Sequence, residues 1–184
     1  AIGIVDGNDE VTVNAAPIIA TRIVIQNPTD GTVGDTIPVT VRAEDDMGNL
    51  DTTFSNSTDF TLKTSGSATP QNGVILNIVN GIGSANITDT VAETVTISLT
   101  ASSTLDVSST QDVIFAPGAT AQYVLNTPGN MTAGTRLGYT VTRKDAFGNL
   151  VTSGTDTAYL YSGATGGQSA FYEASSGGSA VHSV

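Results

Sequence analysis

The chain has no cysteine, no tryptophan and a single histidine, His182. Without cysteine no disulfide can form, so mechanical strength has to come from sheet pairing and packing; the absence says nothing about compartment. One imidazole with no thiol gives zinc no ligand set. It also leaves nucleophilic triads without a base in each half of the chain, and no Gly-x-Ser-x-Gly elbow occurs. Catalysis is therefore not expected. No apolar run approaches the roughly twenty residues of a membrane span, so this segment is not expected to insert into a membrane. Basic residues are scarce, 6 Lys and Arg against 17 Asp and Glu, and the net charge of −11 repels nucleic acid and anionic lipid. Charged residues make up only 12% of the 184, so the surface must be mostly Thr, Ser, Asn and Gly. These residues show no signal-peptide pattern, and because the chain opens at Ala1 in mid-pattern a processed or trimmed end is expected.

What is present is a repeat. Ala43-Glu-Asp-Asp-Met-Gly-Asn-Leu50 returns as Arg143-Lys-Asp-Ala-Phe-Gly-Asn-Leu150, with Asp45 and Asp145 100 residues apart. Pro17 and Pro117, Pro28 and Pro128, Gly34 and Gly134, Val41 and Val141, and Thr52 and Thr152 keep the same offset without a gap. A unit of about a hundred residues is a normal size for one folding domain. Three segments follow. Residues 1–15 read as the terminal strand of a preceding repeat, since Val5, Asp6 and Val13 fall on Leu105, Asp106 and Val113. Residues 16–117 read as a complete repeat, and 118–184 as a second repeat without its last strands.

The complete repeat predicts seven strands. They are Thr21–Ile25, Thr36–Glu44, Thr58–Thr64, Val74–Val79, Ile82–Ile87, Glu93–Thr100 and Gln111–Phe115. Ile37, Val39, Val41 and Ala43 share one face by period two, as do Val95, Ile97 and Leu99. Asn27-Pro-Thr-Asp-Gly31 is turn chemistry. Asn80-Gly81 is a strong hairpin signal because both residues tolerate positive φ. No helical period is sustained anywhere, and turn signals recur every eight to twelve residues. The expected fold is all-β, a two-sheet sandwich filled by branched aliphatics. In the second repeat Gln122–Leu125 and Leu137–Arg143 match the first two strands and Tyr159–Tyr161 the third, while Gly177–Ala180 falls on Ile82–Ala85. The missing last strands would leave sheet edges open. A longer parent array accounts for this most simply; strand exchange between molecules into a filament is the alternative.

Thr40–Asn49, Thr140–Asn149 and the hairpin Asn80–Ala85 resemble bacterial immunoglobulin-like repeats of the invasin and intimin type found in large surface proteins. The resemblance covers essentially the whole chain and departs from the pattern only at the incomplete C-terminus. It implies tandem seven-stranded immunoglobulin-like β-sandwiches in an extracellular stalk, adhesin arm or surface-layer element, without catalysis. It is silent about ligand.

The motif Asp-x-x-Gly-Asn reads first as a structural turn. Asp45 and Asp145 accept backbone N–H bonds, and Gly48, Asn49, Gly148 and Asn149 take positive φ. A calcium site in this loop is disfavoured, because the second copy keeps only Asp145 and sets Lys144 beside it. Calcium has a better place at the junction. In such a sandwich the loop after strand two lies at the entry pole, and the loops after strands one and five lie opposite. Stacking would bring Asp30, Asp89 and Glu93 near Asp145. Calcium there is the one cofactor expected, if any. Asp6–Glu10 resembles part of a calcium loop but fits a hairpin turn better. Asn56, Asn86 and Asn130 head glycosylation tripeptides, which arise by chance in a chain this rich in Asn and Thr. Tyr123, Tyr139, Tyr159 and Tyr161 form a candidate sugar-stacking set, although Tyr123 and Tyr139 replace Ile23 and Val39 and burial is expected for them.

Taken together these readings point to a structural extracellular module whose partners are neighbouring repeats or copies of itself. The alternatives are an adhesin or carbohydrate-binding module, and an accessory immunoglobulin-like domain of a large secreted hydrolase.

Overall fold

A computed structural model describes residues 16–126, 129–163, 171–172 and 180–181. The molecule is all-β, and no helix occurs among the described residues. Residues 16–117 carry eight strands: β1 Arg22–Ile25, β2 Gly31–Thr32, β3 Thr36–Glu44, β4 Phe60–Thr64, β5 Val74–Ile75, β6 Ile82–Thr88, β7 Thr94–Ala101 and β8 Gln111–Ala116. They form a three-stranded sheet, β1-β3-β6, and a five-stranded sheet, β2-β8-β7-β4-β5.

Alternation along the strands puts branched aliphatics on the inner faces. Ile23 and Ile25 of β1 and Ile37, Val39, Val41 and Ala43 of β3 face Phe60 and Leu62 of β4, Val95, Ile97 and Leu99 of β7, and Val113 and Phe115 of β8 in one buried cluster. The full burial of each such side chain is worth about 1.5–3 kcal/mol. Phe54 and Phe60 meet edge to face, with ring centroids 6.0 Å apart. The outer faces carry mostly Thr and Ser, with exposed Ile82 and Ile114 among them, and a small ion-pair group in which Arg22 and Arg42 flank Glu44 at 3.6 and 3.5 Å.

The structure departs from the sequence expectation in several places. Gly31, read as the last residue of a turn, forms with Thr32 a strand pairing parallel with β8, so the chain crosses from one sheet to the other within its first edge. Pro28, which lacks an N–H, lies in the crossing. Asp30 pins it by accepting the Ile114 N–H at 2.8 Å. Strand Val74–Val79 is regular only over Val74–Ile75, after which Ile78 and Val79 make isolated bridges to Asn56 and Ile82. The Asn80-Gly81 hairpin has φ of 51° and 79°, as its sequence predicts.

In the second segment β9 Gln122–Asn126 and β10 Thr140–Lys144 pair antiparallel, and β11 Phe171–Tyr172 pairs with β12 Ala180–Val181. The register of β9 on β10 repeats that of β1 on β3 at an offset of 100. Gln122 faces Lys144 as Arg22 faces Glu44, and Leu125 faces Val141 as Ile25 faces Val41. Tyr159–Tyr161, expected as a strand, is irregular. β9 is exposed along its whole length, and the buried core cluster of the described residues lies entirely within Ala20–Phe115. Residues 1–15, which include the Asp6–Glu10 turn, together with Gly177–Ser179 and His182, lie outside the described residues.

Candidate functional site

The site is where the repeated turn meets the far end of the first sandwich. Each copy of the turn is built alike. Asp45 Oδ1 accepts the N–H groups of Met47 and Asn49 at 2.9 and 2.8 Å, and Asp145 Oδ1 accepts those of Phe147 and Asn149 at the same distances. The Asn49 amide donates to Asp45 Oδ2 at 2.9 Å, and the Asn149 amide to Asp145 Oδ2 at 3.0 Å. Gly48 and Gly148 take φ of 83° and 90°. The asparagines do not: among the described residues Asn80 is the one non-glycine with positive φ. They are needed for the side-chain amide, which ties the aspartate across the turn, and not for backbone freedom.

The two copies differ in what surrounds them. Asn149 reaches out of its own turn, donating from Nδ2 to the Thr90 carbonyl at 2.9 Å and accepting at Oδ1 the Ala92 N–H at 3.0 Å. A primary amide presents a donor and an acceptor side by side, so it pairs with a stretch of extended backbone much as a neighbouring strand does. Phe147 lies over the β2–β3 turn. A Cβ added to Gly34, whose φ is +87°, would stand 2.9 Å from Phe147 Cζ, so glycine is required there for both conformation and space. Gly118 closes the contact from the linker, donating its N–H to Asp145 Oδ2 at 2.9 Å. In the first copy Asn49, among the described residues, bonds within its own turn, and Met47, at the place of Phe147, is 89% exposed.

These contacts show in the electrostatics. Asp145 is 1% exposed. Burial alone would raise its pKa. The Asn149 amide and the N–H groups of Gly118, Asn149 and Phe147 outweigh that and hold it down to about 2. Beside the joint, Ser67 draws two acids together. Its hydroxyl lies 2.8 Å from Asp89 Oδ1 and 2.7 Å from Glu93 Oε1, and its N–H donates to Glu93 Oε1 at 2.6 Å. The Ser67 N–H and hydroxyl keep Glu93 below the usual carboxylate range. Asp89 Oδ2 is buried and has no hydrogen-bond partner among the described residues. The Asp89 carbonyl accepts the Gly34 N–H at 2.7 Å, which ties this acidic loop to the turn under Phe147.

The four carboxylates singled out for calcium are thus distributed among separate tasks. Asp89 and Glu93 converge on Ser67, Asp30 pins β2 to β8, and Asp145 is taken up by its own turn and Gly118. Among the described residues no group of three His, Asp or Glu side chains is placed to hold a metal ion. Of the glycosylation candidates, Asn56 is engaged in a turn, donating to Asp59 Oδ2 at 2.7 Å, while Asn86 on β6 and Asn130 are exposed. Tyr123 and Tyr139, expected to be buried, are 48% and 43% exposed, and Tyr159 and Tyr161 are exposed as well. Arg143 fixes the following loop, pairing with Asp156 at 3.1 Å and donating to the carbonyls of Ser153 and Gly154. Partial burial and the Asp156 carboxylate raise the Tyr123 phenol above its ordinary pKa. The outward reach of Asn149, the Gly34–Phe147 contact and the Ser67 bridge were not anticipated from sequence. The exchange of Met47 for Phe147 was the one available signal, and Ser67 gave none.

No protein-family model and no curated protein matches the chain. Among solved structures the chain is similar to the Escherichia coli adhesin FdeC, at 21% identity over 77% of this chain and 46% of that one, with a TM-score of 0.42. It is also similar to domains 5–6 of the S-layer protein SbsC, at 16% identity over 76% of this chain and 74% of that one, with a TM-score of 0.36. The chain therefore spans less than half the length of the FdeC chain it matches.

Proposed function

We propose that the chain is a structural module of a cell-surface protein, a tandem of immunoglobulin-like units that serves as a stalk, filament or surface-layer element and not as a catalyst. The observation that carries the reading is the joint. Asn149 holds Thr90 and Ala92 through both functions of one amide, and Phe147 seats on Gly34, so the second turn is fixed on the end of the first sandwich. A spacer needs such a contact, because a loosely linked pair transmits neither length nor direction. The surface of hydroxyls and amides with net negative charge suits a crowded aqueous exterior. Dye pairs attached to an exposed position of the 16–117 sandwich and to the 140–151 hairpin test it. A single narrow distance distribution is expected, and a broad one spanning tens of ångströms would sink the reading.

A second reading has one observation in its favour. Tyr123, Tyr139, Tyr159 and Tyr161 all present exposed rings, as sugar-stacking residues do. Tyrosine fluorescence titrated with a panel of oligosaccharides separates the two: saturable quenching that is lost in Tyr159→Ala would favour a carbohydrate-binding module.

A further inference from the structure

Among the described residues the joint exists once, but half of it exists twice. The receiving pole of the 16–117 sandwich consists of the β2–β3 turn at Gly34 and the loop Asp89–Glu93. The inserting half is the turn Asp145–Asn149. The first copy of that inserting half, Asp45–Asn49, has the same backbone bonds: the N–H of Asp45 donates to the Asn49 carbonyl at 3.0 Å, as Asp145 does to Asn149, and Gly48 donates to Asp45 at 3.1 Å, as Gly148 does to Asp145. It sits at the opposite end of the sandwich, where Ala20 bonds Asp51 and Thr21 bonds Asp46. There, among the described residues, no receiving pole faces it. Asn49 is exposed, Met47 is 89% exposed, and Ile18 and Ile19, on the chain just before Ala20, are exposed as well.

Other large apolar side chains of this unit are exposed too, Ile75, Ile82 and Ile114 among them, so what distinguishes Met47, Ile18 and Ile19 is their place in the repeat. They stand at the positions of Phe147, Gly118 and Ala119, which are the positions that make or flank the joint. We propose that the Met47–Asn49 turn is a second inserting half and that its occupant is the receiving pole of another unit built like residues 16–117. In that contact Asn49 bonds the backbone equivalent to Thr90 and Ala92, and Met47 covers the glycine equivalent to Gly34. Methionine suits this place because its unbranched side chain adapts to a partner surface more readily than a ring. The inference rests on the spacer reading and adds to it: growth of the array is directional, each unit offering an Asp-x-x-Gly-Asn turn at one end and a Gly34-type pole at the other.

The test is a fusion in which a copy of residues 16–117 precedes residues 18–184, so that Pro117 of the added unit takes the place of Pro17 and the present chain is otherwise kept whole. Amide hydrogen exchange is followed at the acceptor loop of each joint. The added unit's Ala92 is expected to be protected as the original Ala92 is, and Met47 to lose its accessibility to mild oxidation. Asn49→Ala should raise exchange at the added unit's Ala92 on the order of thirtyfold, the equivalent of two hydrogen bonds, and leave the original Ala92 unchanged. Fast exchange at the added Ala92, beside a protected original Ala92, would overturn the inference while the spacer reading stood. Fast exchange at both would overturn the two together.

Discussion

Asn149 donates to the carbonyl of Thr90 across 2.9 Å and 59 positions of sequence, and the same side chain is held from behind by Asp145. Turn and joint therefore share one residue. Asn149→Ala removes two bonds across the joint, each worth about 1 kcal/mol net, and should open it by about 2 kcal/mol. Exchange of the Ala92 amide, which donates to Asn149 Oδ1, reads this directly. The melting of the 16–117 sandwich should hardly move, because its core lies within Ala20–Phe115. Asn49→Ala is the control: it breaks the same internal bond to Asp45 and should leave Ala92 protected.

Acid should undo the joint from the other side. Asp145 has its pKa lowered from 3.8 to about 2 in the folded chain. A depressed carboxylate contributes stability that is complete above about pH 4 and is lost as pH falls through about 2. The amide of Gly118, bonded to Asp145 Oδ2, is the local probe, and its chemical shift and protection should change over that window. Asp145→Asn keeps one acceptor oxygen but turns an NH2 group toward an N–H donor. It should loosen Gly118 at neutral pH and flatten the acid transition.

Much of the first sandwich was legible because its strands advertise themselves. Ile37, Val39, Val41 and Ala43 alternate with polar residues, and all four are buried. Strand β2 was not legible. It is two residues long, and its reason to exist is β8, more than eighty positions later. The turn was legible in its Asp and Gly, yet the part played by Asn was misjudged, since φ tolerance and a free amide both favour asparagine and only geometry separates them. The joint was hidden for a related cause. Asn49 and Asn149 are identical in sequence, and what distinguishes them is the surface opposite. Tyr123 and Tyr139 show the same limit: standing at places equivalent to Ile23 and Val39 predicts burial only if a second sheet covers them, and β9 is exposed throughout.

That asymmetry is measurable. Phe60→Ala empties the centre of the first core and should cost about 3–5 kcal/mol. Leu125→Ala, on the exposed β9 at the position equivalent to Ile25, should cost less than about 1 kcal/mol. Urea unfolding followed by amide signals within Ala20–Phe115 for the first and within Gln122–Lys144 for the second distinguishes them. A large loss from Leu125→Ala would mean that β9 packs against a core of its own.

The Asp89–Ser67–Glu93 group invites the least obvious substitution. One hydroxyl hydrogen lies between two carboxylates, so it can satisfy only one of them at a time, and Asp89 Oδ2 is buried with no partner among the described residues. Asp89→Asn keeps an oxygen to accept the Val91 N–H, which now stands 2.9 Å from Asp89 Oδ1, and removes one of two like charges. The substitution should therefore stabilise the 16–117 sandwich by about 1 kcal/mol, against the usual direction for a buried site. Ser67→Ala should destabilise it by about 1–2 kcal/mol, since the one hydroxyl hydrogen shared by the two acids is then gone and, of the donors at this position, only the backbone N–H to Glu93 remains. Calcium separates this account from the one in which a bound cation meets the charge. Two carboxylates and a hydroxyl fall short of the six to eight oxygens calcium takes. Millimolar calcium or EGTA should accordingly leave the melting temperature of the unaltered chain where it is, and a calcium-dependent rise that disappears in Asp89→Asn would show that the pair holds an ion after all.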